Sequence, residues 1–185
     1  SKVFSKQLFP VYDKPMIYYP FNFLTKLGIK NISIISDKKN IFSIKKIINI
    51  YKKKGQKINF LIQKKPNGLP EAYLIANKFI KNSNTVMILG DNIFLDLDKS
   101  FFGKSFKNLA KGKSTIFGYR VKDPRRFGVV ELSKKNIIKK IVEKPQTIIS
   151  KIAIVGLYFF TKDVVKNVKK LKPSRRSELE IIDLM

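Results

Sequence analysis

The run TVMILGDN (85–92) constrains this chain more than any other stretch. Unbroken apolar residues that stop at Gly-Asp-Asn match a strand buried on both faces, as in parallel sheets covered by helices. NISIIS (31–36), a short apolar run with Ile at 32, 34 and 35, reads as a buried strand, and KINFLIQ (57–63) reads as a strand. Between these two, residues 41–52 carry Ile and Phe at helical spacing, with Gly55 as the stop. Residues 70–81 read as a helix. STIFGYRV (114–121), FGVVEL (127–132), IIKKIVEK (137–144) and IAIVGLYFF (152–160) add strands, and 162–171 and 177–185 read as helices. The alternation in the first half predicts an α/β layer fold with parallel strands covered on both faces. In such folds ligands gather at the carboxyl ends of the strands. No repeat, linker or low-complexity segment divides the 185 residues, which predicts one unit over 1–185.

Two absences narrow the chemistry. The chain has no Cys and no His, which removes thiolate nucleophiles, disulfides and the commonest general base. Any metal must then be held by oxygen, which points to Mg²⁺ or Mn²⁺. No apolar run approaches the ~18 residues of a membrane span. The formal net charge of +26 raises a nucleic-acid reading. Against it, the cations are 34 Lys and 5 Arg, spread along the whole chain beside abundant Ile, Asn and Phe. Dedicated phosphate and base readers favour the bidentate Arg fork. The charge therefore reads as a compositional bias, and no specific nucleic-acid partner is expected.

The strand ends carry the candidate chemistry. Asp91 would present a hard oxygen ligand, and Gly90 allows close approach; a polar turn at Gly-Asp-Asn suits the same residues. In IQKKPNGLPEA (62–72), Gln63 suits a base edge and Gly68 allows backbone to meet a ring, although an ordinary strand–loop–helix connection has the same composition. In VEKP (142–145), Glu143 suits sugar hydroxyls and Lys144 a phosphate, against a surface ion pair. Strict alternation would aim these two side chains oppositely unless a bulge or strand end intervenes. Gly128 in RRFGVVE would let a flat ligand lie on backbone, against a bulge or tight strand start. Lys6, ahead of Pro10, suits a phosphate point charge, against one lysine among many.

Order and spacing say more than any one motif. SKQLFPVYDKPMIYYP, GIKNISIIS, IQKKPNGLPEA, ILGDNIF, DPRRFGVVEL, VEKP, GLYFF, LKPS and ELEIID run almost end to end. In that order the chain resembles the glucose-1-phosphate thymidylyltransferases among the sugar nucleotidyltransferases. The resemblance implies a Rossmann-like three-layer sandwich with a mixed, mostly parallel sheet, incomplete at both ends. It implies that Lys6 and Gln7 contact nucleotide phosphates and that Gln63, Gly68 and Leu69 read thymine. It implies Asp91 as the metal carboxylate for Mg²⁺, Asn92, Gly128, Glu143 and Ile154 around the sugar, and Lys144 on the sugar phosphate. The implied catalytic set is Lys6, Asp91 and Lys144. Pro70, Phe127, Ser177 and Ile182 stand where the family usually has Ala, Tyr, Gly and Thr.

The implied reaction is nucleotidyl transfer from dTTP to glucose 1-phosphate, giving dTDP-glucose and pyrophosphate for deoxysugar and surface-polysaccharide synthesis. A cytoplasmic homotetramer is implied with it. The alternatives are a relative using another nucleotide or sugar, a non-catalytic regulatory relative, and an RNA-binding protein. In the family a first strand and a glycine-rich loop precede SKQL, and a second metal carboxylate follows further on. Residues 1–185 are therefore expected to be a fragment, inactive alone, with a gap or apolar groove beside NISIIS or TVMILG.

Overall fold

Short helices cover both faces of a mixed set of strands in this computed structural model, which describes residues 5–95, 97, 99–135, 137–174 and 176–185. A 3₁₀ turn (Lys6–Leu8) leads into a small hairpin, β1 (Pro10–Val11) and β2 (Lys14–Pro15). Helix α1 (Tyr18–Lys26) follows; its Pro20 sits in the first turn, where a missing N–H costs nothing. Next come β3 (Asn31–Ser36), α2 (Ile41–Tyr51) and β4 (Lys57–Ile62). Helix α2 buries Ile44 and Ile48, one turn apart, and Asp37 holds its entry by accepting from the Lys39 and Asn40 N–H groups. Helices α3 (Glu71–Ile75) and α4 (Asn77–Ile80) divide the expected 70–81 helix at Ala76. Then follow β5 (Thr85–Ile88), α5 (Gly103–Ala110), β6 (Thr115–Arg120), β7 (Gly128–Leu132), β8 (Ile138–Glu143), β9 (Ile152–Phe160) and α6 (Val164–Val168). Residues 177–185 do not form the expected helix. Glu180 is extended, and only Ile181–Leu184 close a 3₁₀ turn.

Strand β9 organises the molecule. Leu157 and Phe159 enter one core with Phe21, Phe23, Ile44, Ile48 and Phe102. Ile154, Tyr158 and Phe160 enter a second core with Tyr73, Val130, Val165 and Ile181. Period-2 alternation thus splits one apolar strand between two helical layers, giving the three layers expected. The α/β class and mixed pairing hold, but parallel pairing is confined to β3–β4 among the described strands. β5, β6 and β7 all pair antiparallel with β9, and β7 with β8. The short β7–β8 connection makes antiparallel return the natural outcome.

Strands β3 and β5 belong to separate sheets. Between them lies a cleft of about 830 Å³, lined on one side by Ser33 and Ile35 and on the other by Val86 and Ile88. The groove expected beside these two strands is present. All four residues of β5 are consequently half-buried, not fully buried as their apolar run suggests.

Candidate active site

At the carboxyl end of β5 the backbone turns through Leu89–Asn92, closed by the Asn92 N–H donating to the Leu89 carbonyl at 3.1 Å. Gly-Asp-Asn forms the polar turn, and the turn leaves the Asp91 carboxylate at the strand's carboxyl end. Asp91 Oδ2 pairs with Lys6 Nζ, and Asp91 Oδ1 accepts from Asn92 Nδ2 at 3.0 Å. Burial alone would raise the Asp91 carboxyl. The hydrogen bond and charge of Lys6, with the Asn92 donor, carry it below its ordinary value instead. Gln7 packs over Gly90, where an added Cβ would lie 3.0 Å from Gln7 Cγ. Ser5 Oγ donates to Gln7 Oε1, and the Ser5 N–H donates to Asn40 at 3.2 Å.

Gln7, Gln63, Leu69 and Asp91 line the same cleft. Gln63 Nε2 donates to Glu71 Oε2 at 2.6 Å and to the Gly68 carbonyl at 3.3 Å. Asn67 Nδ2 donates to the other Glu71 oxygen at 2.8 Å. Gly68 has φ +100°, and a Cβ there would fall 2.1 Å from the Leu179 carbonyl oxygen, so only glycine fits. Gly68 therefore shapes this loop from behind and is not itself among the cleft-lining residues.

Gly128, Glu143 and Ile154 converge on a second spot. A Cβ at Gly128 would meet Glu143 Oε2 at 3.2 Å, Ile182 Cγ2 at 3.3 Å and Ile154 Cδ1 at 3.4 Å. Burial raises the Glu143 carboxyl, the Glu180 carboxylate adds to this, and Lys144 and Arg176 oppose it. Lys144 follows the last residue of β8 at φ +43°, so strand alternation no longer dictates where its side chain goes. It is exposed, and its N–H donates to the Phe127 carbonyl at 3.0 Å.

Strand β9 joins the two clusters. The Gly156 N–H donates to Asn92 Oδ1 at 3.0 Å, and Ile154 lies two residues away on the same face. That spacing is about 7 Å. Three residues escaped the sequence reading. Glu71 holds Gln63, Gly156 holds Asn92, and Arg176 reaches Glu143 at 3.5 Å while also pairing with Glu178 at 2.9 Å. Arg176 had a legible signal, being one of few arginines in a lysine-dominated chain. Gly156 had none, because its partner Asn92 lies 64 residues away in sequence, and Glu71 had none, because its tie to Gln63 depends on how the intervening loop folds.

Asp91 offers a half-buried hard oxygen beside the cleft, which suits a divalent ion held largely by substrate phosphates. No group of three or more acidic side chains that would cage an ion by protein alone occurs among the described residues.

The family described as Nucleotidyl transferase matches residues 1–185. Glucose-1-phosphate thymidylyltransferase of Neisseria gonorrhoeae is 44% identical over 186 residues, covering 97% of this chain and 62% of that protein. The protein of the same name from Xanthomonas campestris pv. campestris is 39% identical, over 100% and 62%. A Bacillus anthracis crystal structure, provisionally assigned as a glucose-1-phosphate thymidylyltransferase and holding a sucrose, superposes with TM-score 0.88 at 34% identity. It covers 100% of this chain and 74% of that one. UDP-glucose pyrophosphorylase complexed with UDP-glucose gives TM-score 0.80 at 23% identity, over 99% and 78%, a likeness of fold alone. The chain thus spans less than two thirds of the length of these curated relatives.

Proposed function

The chain belongs to the nucleotidyl transferase family, and from that membership we propose that it carries substrate sites for transfer of a thymidylyl group from dTTP to glucose 1-phosphate. The observation that carries this reading is the meeting of Gln7, Gln63, Leu69 and Asp91 at one cleft, with Lys6 paired to Asp91 and with Glu143, Gly128 and Ile154 one β9 repeat away. The named relatives, at 44% and 39% identity, support the choice of nucleotide and sugar.

In the proposed reaction an oxygen of the sugar phosphate attacks the α-phosphorus of dTTP. The P–O bond to the β-phosphate breaks, and pyrophosphate leaves with the electron pair. No enzyme nucleophile is required, so a chain without Cys or His can supply what the step needs: position and charge. A divalent ion, Mg²⁺ in this reading, neutralises phosphate charge when bound. Asp91 would hold it. Lys6 offsets charge on the nucleotide side, Gln7 lies against the phosphates, and Gln63 with Leu69 meets the base while Gly68 holds their loop from behind. Glu143, Asn92, Gly128 and Ile154 grip the sugar, and Lys144 steers its phosphate.

A second reading, another sugar phosphate, draws on Phe127 and Ile182, which put apolar groups where the resemblance expects hydroxyls. Ile182 Cγ2 would be 3.3 Å from a Cβ at Gly128, next to the sugar cluster. We read 1–185 as part of a single nucleotidyltransferase unit in a cytoplasmic homotetramer. Among the described residues, no helix is long and apolar enough to cross a membrane. The test is a panel of nucleoside triphosphates against hexose 1-phosphates with the full-length protein, read by product chromatography. Highest kcat/KM for dTTP with glucose 1-phosphate supports the proposal, and a preference for another pair replaces it.

A further inference from the structure

The turn that carries Asp91 is held from outside itself. The last paired residues of β5 and β9 are Ile88 and Leu157. One step on, the Leu89 N–H donates to the Gly156 carbonyl at 2.8 Å. In that same pair the Gly156 N–H meets a side chain instead of the Leu89 carbonyl, donating to Asn92 Oδ1 at 3.0 Å. The Asn92 amide therefore extends the β5–β9 ladder past the end of β5. Its other end, Nδ2, donates to Asp91 Oδ1 at 3.0 Å. A primary amide can accept from a backbone N–H and donate to a carboxylate at once, whereas a carboxylate can only accept and an alkyl group does neither.

The space is cut to this arrangement. A Cβ at Gly156 would lie 2.7 Å from Asn92 Nδ2 and 2.5 and 2.6 Å from Leu89 Cγ and Cδ1. Any side chain at position 156 would displace both residues of the turn. With Asp91 Oδ1 committed to the amide, Oδ2 is the oxygen turned to Lys6.

We infer that Asn92 is a positioning residue for Asp91, anchored by the Gly156 N–H, and that it presents one carboxylate oxygen to Lys6 or to a divalent ion that takes the place of Lys6. This role rests on the nucleotidyl-transfer reading for what Asp91 meets, not for how Asp91 is held. It is distinct from the sugar contact that resemblance implies for Asn92, and the two roles separate experimentally.

Asn92→Leu and Gly156→Ala in the full-length protein provide the test. Mn²⁺ binding is read by electron paramagnetic resonance with a non-hydrolysable dTTP analogue present, alongside steady-state kinetics. Loss of an outer partner of a metal ligand costs about 10–100-fold in affinity or activity. Both variants are expected to weaken Mn²⁺ by about tenfold or more and to lower kcat. The KM for glucose 1-phosphate should stay within about threefold in Gly156→Ala, which keeps the Asn92 amide and the grip of Glu143 and Gly128, whereas Asn92→Leu also removes a sugar contact and is read by Mn²⁺ affinity and kcat. A raised KM for glucose 1-phosphate with unchanged Mn²⁺ affinity and kcat would make Asn92 a sugar contact only and overturn the inference. If either variant fails to fold, proton exchange of the Asn92 side-chain amide in Asp91→Ala, which removes the acceptor, replaces it. Faster exchange than in the unmodified protein supports the relay, and unchanged exchange overturns it. A wild-type protein that never joins dTTP to glucose 1-phosphate, yet loses Mn²⁺ in these variants, would sink the substrate assignment and leave the relay standing.

Discussion

Both Nε2 hydrogens of Gln63 are committed, one to Glu71 and one to the Gly68 carbonyl. Oε1 is then the end turned to a ligand. An acceptor there matches the ring imide N–H shared by thymine and uracil and opposes the bare ring nitrogen of cytosine. Gln63→Ala should weaken dTTP binding by about 1–3 kcal/mol and leave weak dCTP binding unchanged, as read by titration calorimetry. Equal losses for both nucleotides would place Gln63 off the base. Asp91 carries a prediction in pH as well as in rate. Its folded carboxyl lies below the ordinary 3.8, so the carboxylate adds stability above that pH and loses it as pH falls through the lower folded value. The melting-temperature difference between wild type and Asp91→Asn should be steady near neutrality and close as pH drops below about 4. The same substitution should cut turnover by about 10²–10³ with a smaller change in glucose 1-phosphate binding. Near-normal turnover at saturating Mg²⁺ would remove Asp91 from the chemistry.

At the scale of elements, the cleft between β3 and β5 is the feature with the largest consequence. Ile35, Val86 and Ile88 face a space that no described segment fills. Residues 1–185 in their native state should therefore enhance the fluorescence of an apolar dye such as ANS, and Ile35→Lys should diminish it. Native protein that leaves the dye dark would mean the cleft is closed in solution. The segment 174–182 is the other informative element. The Leu179 N–H donates to the Asn67 carbonyl at 2.9 Å, out of its own segment, and Ser177 takes φ +57°. Left-handed backbone disfavours a β-carbon, so the usual family glycine fits this position better than serine does. Ser177→Gly should stabilise by about 0.5–1 kcal/mol, the steric relief less the added chain entropy. A lower denaturant midpoint would show that the serine hydroxyl contributes more than its backbone strain costs.

Across the whole molecule the charge is dispersed. Exposed lysines occur on α2 (Lys45, Lys46), at the start of β4 (Lys57), on β8 (Lys139, Lys140) and along α6 (Lys166). Helices α2 and α6 pack on different cores, so these exposed lysines lie on more than one layer. Affinity for RNA or heparin should fall steeply with added salt and be alike for unrelated RNA sequences, as counterion release alone predicts. Sequence-selective RNA binding at physiological salt, measured by filter retention, would revive the nucleic-acid reading.

Sequence by itself determined the local elements whose signal is local. The span of β3 at 31–36 and of β9 at 152–160 follows from short runs rich in apolar residues, and α2 follows from helical spacing with a glycine stop. The carboxylate at the end of β5 was legible for the same reason. Helix α1 was not expected; its single proline, Pro20, lies in the first turn, where the helix tolerates it. Pairing direction and the fate of 177–185 belong to tertiary structure. A strand's apolar pattern reports that it is buried, not which neighbour runs beside it. The last segment gives its Leu179 N–H to Asn67, over a hundred residues away in sequence, instead of to its own helix. The site divides the same way. Asp91, Gln63 and Glu143 stood out as polar residues at strand ends. Gly156 through Asn92, and Arg176 through Glu143, became visible only when folding brought distant segments within reach, and Glu71 only when the short loop after β4 turned it back onto Gln63.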